Sequence, residues 1–343
     1  MQGIRSLLMA EQTSPPLPPP YDKGSGVTTS HFTRLRLVGK RLSLLCWRPS
    51  SQMRCSMVDC LVIGDSYADD VDMGFTCWPL LLAQGRGSCL NVARGGSRCA
   101  HAPEQLARAE DFMAAFQLRP SEHSMVIVHL GGNDMLHALQ LLGPFALLLL
   151  WLDMWHIGAR ILGLRPGLST LPRVSFFGFL ARRIVASLSA LLALLARRGY
   201  TRVLVSGLPI CSAMPLTRKV VSGLTFAWAR PGGARFVTKV IDETADLLRT
   251  YLKTALHEVA TTHGLKLVYF DEASALREVC LSRHAAAEQV GAGDAMWKDV
   301  HHPREWVHAE LAAAVKKLLL ADETGDAATR TKPTARRRLS RGR

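Results

Sequence analysis

The stretch LVIGDSYADD, residues 61–70, runs three strand-type apolar residues into a glycine, an aspartate and then Ser66. Gly, Asp and Ser are turn formers, so a strand that simply ends in a turn accounts for the composition. The same order also lifts a serine hydroxyl out at the end of a buried strand, where it can act as a nucleophile. Far downstream, KDVHHPREW (298–306) sets Asp299 and His302 three residues apart ahead of Pro303. That spacing lets one short loop present both side chains, the carboxylate holding the imidazole tautomer while the imidazole takes the serine proton. Donors for a developing oxyanion are at hand in the amides of Ser66 and Gly96 and the side-chain amide of Asn133.

Each piece has a plainer reading when taken alone. Gly95-Gly96 suits any flexible corner, and Asn133-Asp134 suits a helix cap. His301-His302 with Asp299 suggests a surface pair or a metal site, but no third ligand stands at a convincing spacing, and the metal reading ranks below the catalytic one. The pieces gain weight together, because each follows a segment of strand type.

The elements that must position these residues alternate along the chain. Strand candidates are Cys60 to Gly64, Cys89 to Ala93, Met125 to Leu130, Arg202 to Ser206 and Leu265 to Phe270. Helical periods occupy Pro103 to Phe116, Leu180 to Arg197, Phe236 to His263 and Arg304 to Leu320, with Pro303 as a candidate opener of the last. Short apolar strands separated by helices point to an α/β fold, a parallel sheet covered on both faces. In such sheets ligands bind beyond the carboxyl ends of the strands. Gly64-Asp65-Ser66, Arg94-Gly95-Gly96-Ser97 and Gly131-Gly132-Asn133-Asp134 all fall there.

At these residues the chain resembles the SGNH hydrolases, the GDSL esterase/lipase family. Gly64-Asp65-Ser66 matches the nucleophile block, NVARGGS (91–97) the glycine block, GGND (131–134) the asparagine block and DVHHP (299–303) the Asp-x-x-His block. Trp78-Pro79 and GLPICSAMP (207–215) are similar to segments of the longer members, whereas Tyr67 stands where the family usually has leucine. The resemblance spans residues 58–320. It implies a three-layer α/β/α sandwich on a central parallel five-stranded, flavodoxin-like sheet. It further implies a serine esterase or lipase with Ser66, Asp299 and His302 as the triad, and Ser66, Gly96 and Asn133 as the oxyanion hole. No metal or organic cofactor is required by that chemistry. The alternatives are acyl transfer by the same machinery, a binding module that kept the fold, or a lipid-surface protein acting through the apolar 135–164 region.

Composition sets the remaining bounds. The chain holds 343 residues, 48% of them apolar, enough for one α/β domain with a large core. Its formal charge of +14 is concentrated in the tails: residues 1–56 carry eight Lys/Arg against two Asp/Glu, and residues 322–343 carry seven against three. Both tails are therefore expected to be disordered and basic, flanking a hydrolase domain at 57–321, and no nucleic-acid partner is expected. The eight cysteines include no CxxC pair, which favours a reducing compartment. Residues 7–10 are too short for a secretory core, so an intracellular location, cytoplasmic or organellar, is expected, with residues 1–56 a candidate targeting segment. The run 135–152 has no formal charge for 18 residues. Gly143-Pro144 interrupts it, and the expectation is a helical cap or a peripheral membrane contact, with a small-molecule, lipid or glycan ester as substrate.

Overall fold

Strand segments in this chain are near-continuous runs of Val, Ile, Leu and Cys, the pattern of strands buried on both faces. The computed structural model describes residues 33–37, 42–46, 57–83, 87–161, 175–210, 214–215, 233–283, 296–299 and 302–324. A hairpin of β1 (Thr33–Leu37) and β2 (Leu42–Cys46) leads into β3 (Met57–Gly64), α1 (Asp70–Met73), α2 (Trp78–Ala83) and β4 (Ser88–Asn91). Next come α3 (Ala102–Ala115), β5 (Arg119–His129), α4 (Gly132–Leu142), α5 (Pro144–Ile161) and α6 (Phe176–Arg197). The chain continues through β6 (Arg202–Ser206), α7 (Gly233–Thr262), β7 (Lys266–Phe270), α8 (Glu272–Arg283) and α9 (Glu305–Glu323).

The strands form one sheet in the order β1-β2-β4-β3-β5-β6-β7, and the five from β4 to β7 are mutually parallel. Alternate side chains divide between two cores, as period-two geometry requires. Leu61, Ile63, Val126, Val128, Val203 and Val205 pack on one face under α3, α6 and α7. Cys60, Val62, Met125, Ile127 and Leu204 pack on the other with α2, α8 and α9. The chain first adds β4 on one side of β3 and then β5 on the other, so the strand order reverses at β3 and β5, where such sheets bind ligands.

Three expectations need correction. The five parallel strands are as expected, but residues 33–37 and 42–46, expected to belong to a disordered extension, add two more: they pair antiparallel with each other, and β2 pairs antiparallel with β4. TRLRL alternates Arg with Leu, a period-two pattern that its charge obscured, and edge strands tolerate charge. The rest of 1–56 lies outside the described residues. At the other end α9 runs to Glu323, two residues into the expected tail. Asp322 and Glu323 pair there with Lys266 (2.7 Å) and Arg202 (3.0 Å) at the amino ends of β7 and β6. Pro303 does not open α9 either; it bridges Trp297, and Arg304 stands at the helix cap.

The apolar run after Asn133 forms two helices, broken where Gly143 takes φ +51° and Pro144 starts the next. Residues 162–164 of the expected cap lie outside the described residues. Among the described residues one helix, α6, is long and apolar enough to cross a membrane. Its Leu180, Ile184, Leu188, Leu191 and Leu195 stripe is buried in the core.

Candidate active site

Strand β3 turns sharply at Gly64, where a Cβ would come within 2.6 Å of the Ala68 Cβ and 3.1 Å of the His129 carbonyl. A side chain there would push the turn away from β5. Asp65 organises the turn itself: its carbonyl accepts from the amides of Ala68 (3.1 Å) and Asp69 (3.0 Å), and its carboxylate accepts from the amide of Tyr67 (3.1 Å). Gln105 of α3 braces the strand end by accepting from the Gly64 amide and donating to its carbonyl, both at 2.8 Å. The turn is held on every side while Ser66 stays half-buried at the cleft.

The Ser66 Oγ lies 2.8 Å from Nε2 of His302, and Nδ1 of His302 lies 2.7 Å from Oδ2 of Asp299. The other oxygen of Asp299 accepts the His302 amide at 2.9 Å, so the carboxylate grips both ends of the same residue. The loop carrying this pair is closed by Lys298 N–H to the His302 carbonyl (2.7 Å) and Arg304 N–H to the Met296 carbonyl (2.8 Å). Lys298 Nζ then donates to the Met73 carbonyl at 2.9 Å, tying the loop to α1 beside the serine turn. His301 lies outside the described residues.

Asn133 sits in the first turn of α4 and shares with Ser66 a narrow cleft of about 40 Å³. Met135, Leu136, Ile210 and Met214 make its walls apolar. The Asn133 amide donates to the Ser97 carbonyl at 3.1 Å, joining the asparagine to the glycine loop. Gly95 donates to Asp69 at 2.9 Å and approaches α1 so closely that a Cβ would meet an Asp72 oxygen at 2.2 Å. Burial raises the Asp69 carboxyl to about 6, against the pull of the Gly95 and Asp72 amides. Gly96, at φ +76°, is exposed and lines a separate cavity of about 280 Å³ with Arg94, His101 and Arg108. Thus Ser66, Asn133, His302 and Asp299 converge, whereas Gly96 is not among the residues lining the Ser66 cleft.

Beneath the serine lies an array absent from the sequence reading. His129, the last residue of β5, is 2% exposed, with Nδ1 at 3.1 Å from Asp65 and Nε2 at 2.6 Å from Glu272, itself 0% exposed. Ser206, the last residue of β6, donates to the same Glu272 oxygen at 2.5 Å. Burial alone would lower the His129 pKa, but the charges of Glu272 and Asp65 override it and raise it to about 10, an imidazolium between two carboxylates. Tyr67 stacks on that ring (centroids 5.1 Å, 12°) and tilts against His302 at 5.8 Å. His308 is the opposite case, its pKa lowered to about 3 by burial and by the charges of His129 and His302. Its Nδ1 accepts the Trp78 amide at 3.2 Å. All four members of the buried array stand at or within two residues of strand carboxyl ends, a position that could have singled them out in the sequence.

No family model matches this chain, and no curated protein matches it. Among solved structures it is similar to a gut microbial diltiazem-metabolizing enzyme, at 11% identity and a TM-score of 0.40, covering 77% of this chain and 47% of that one. It is also similar to an extracellular lipase from Streptomyces rimosus, at 13% identity and a TM-score of 0.40, covering 77% of this chain and 99% of that one. The chain therefore spans about half the length of the first and nearly all of the second. Both are remote likenesses, and the chemistry of the site rests on the geometry of this chain.

Proposed function

We propose that the chain is a serine hydrolase of SGNH (GDSL esterase/lipase) type that cleaves carboxylic esters through an acyl-serine intermediate. The observation that carries this reading is the unbroken line of contacts from Asp299 to His302 to Ser66, at 2.7 and 2.8 Å, at the mouth of an apolar cleft. Ser66 Oγ attacks the ester carbonyl carbon as its proton passes to Nε2 of His302, and Asp299 stabilises the imidazolium that forms. The tetrahedral intermediate collapses, the alcohol leaves with the proton from His302, and the acyl group stays on Ser66. Water then adds to the acyl carbonyl, its proton going to His302 and back to Ser66 as the carboxylic acid departs. The Ser66 amide and the Asn133 side chain are the proposed oxyanion donors, with Gly96 a third that needs its loop to turn inward.

The array below the serine supports the same reading. The positive charge that His129 holds below about pH 10 faces Asp65, whose carboxylate accepts from the amide of Tyr67 in the nucleophile turn. A panel of p-nitrophenyl esters of increasing chain length, run with wild type, Ser66→Ala and His302→Ala, tests the proposal. Turnover by wild type that is lost in both variants is expected. Wild-type inactivity across the panel, or a Ser66→Ala variant as active as wild type, overturns it.

A further inference from the structure

Helix α5 carries its apolar residues on two opposite faces. Ala146, Leu150 and Ile157 are buried, and Asp153 between them accepts the Phe177 amide at 3.0 Å at the start of α6. Phe145, Leu148, Trp151 and Trp155 occupy the opposite face and are 68%, 53%, 51% and 55% exposed. The two indoles stack on each other, with centroids 6.3 Å apart at 21°. Leu141, 58% exposed, extends the patch onto α4. Scattered apolar residues on a surface mean little, but a run of five on adjoining helices marks a contact site.

Three features choose the occupant. Tryptophans favour the boundary between lipid tails and headgroups, and a helix with one aliphatic-aromatic face and one anchored face lies along such a boundary. The surroundings are cationic on the α4 side: Arg98 and Arg183 stand near enough that, after desolvation, their charges lower the pKa of His137, one turn before Leu141. The patch also shares a helix with the site, because α4, which carries Leu141 at its far end, holds the oxyanion candidate Asn133 in its first turn and lines the cleft with Met135 and Leu136. A protein partner would account for the apolar face alone. A lipid surface accounts for the indoles, the charge and the path to the serine together.

We propose that this face of α5 docks onto an anionic lipid surface and that the substrates are esters held in that surface, drawn along α4 into the cleft at Ser66. The docking stands independently of the chemistry, whereas the substrate class rests on the hydrolase reading. The test is flotation of the full chain with vesicles of phosphatidylcholine and phosphatidylserine in equal parts, against vesicles of phosphatidylcholine alone. Wild type and Ser66→Ala should float with the anionic vesicles, with a blue shift of tryptophan emission. The triple variant Phe145→Ser, Trp151→Ser, Trp155→Ser should lose about tenfold or more of the bound fraction while keeping its circular dichroism and its turnover of a water-soluble short-chain ester. Equal flotation of wild type and triple variant would place binding in the basic tails and overturn the proposal. So would a wild type that stays with the soluble fraction, or one that elutes as a dimer which the triple variant dissociates. Flotation as expected without ester turnover by wild type would leave the docking in place and remove the hydrolase reading instead.

Discussion

Replacing His129 with leucine removes the positive charge from a group that is 2% exposed and leaves Asp65 and Glu272, 2% and 0% exposed, facing an apolar side chain. Breaking a buried ion pair by deleting one member costs about 3–5 kcal/mol, because the remaining charge is uncompensated. Two carboxylates lose their partner here, so the upper part of that range applies, about 4–5 kcal/mol. For a chain with this much ordered structure, that lowers the melting temperature by about 10 °C or more. The pH dependence is the sharper check. The folded-state pKa of about 10 lies above the ordinary value of 6.5, so folding favours the protonated ring. Its stabilisation is complete below pH 6.5, shrinks as the pH rises, and is gone once the pH passes about 10. Thermal unfolding followed by circular dichroism should therefore show a wide gap between wild type and His129→Leu at pH 6 that narrows towards pH 10. A variant within about 1 kcal/mol of wild type at pH 6 would refute the buried imidazolium, as would a gap that widens with pH.

Other substitutions probe separate parts of the structure. Asn133→Ala should lower kcat by about 10²–10³-fold with little change in KM, the loss expected of one oxyanion donor; an equal loss confined to KM would assign Asn133 to substrate binding. Wild type should lose stability as the pH falls from 6.5 towards 3, because the folded state holds His308 neutral while the unfolded chain takes up a proton. His308→Gln should flatten that part of the curve, and an unchanged slope would point to other groups. Deleting residues 1–56 strips β2 from β4 and bares the β4 edge, so light scattering should detect self-association that a chain starting at residue 30 does not show. A monomeric chain starting at residue 57 would mean that the hairpin is dispensable.

The five parallel strands were legible because burial on both faces makes them continuous apolar runs bounded by glycine, and observed ends differ from those expected by up to six residues. Most of the difference is at β5, whose first residues, Arg119 to His123, lack an apolar run and are largely exposed. The pairing of Asp299 with His302 was legible for another reason: the two sit three residues apart, and that spacing limits which imidazole can be oriented by the carboxylate, whereas the partnership with Ser66, 236 residues away, followed from the resemblance of the motifs. The hairpin at 33–46 was not legible, because its Arg-Leu alternation lies in a basic, proline-rich stretch where charge dominates any local window. The Asp65–His129–Glu272 array was hidden for a deeper reason. Glu272 is 143 residues from His129, and nothing local distinguishes a histidine closing an apolar strand from a satisfied core residue. Gly96 marks the reverse limit, a residue whose motif position suggested an oxyanion donor while the loop, at φ +76°, leaves it exposed.

The most direct test of the central claim is to find which atom a mechanism-directed acylating or phosphonylating reagent modifies. The full chain is incubated with a fluorophosphonate, digested, and the modified peptide is sequenced by mass spectrometry. The geometry of Ser66, His302 and Asp299 predicts one adduct, on the peptide containing Ser66, formed slowly in His302→Ala and absent in Ser66→Ala. An adduct on another residue, or labelling undiminished in Ser66→Ala, would contradict the assignment of Ser66 as the nucleophile.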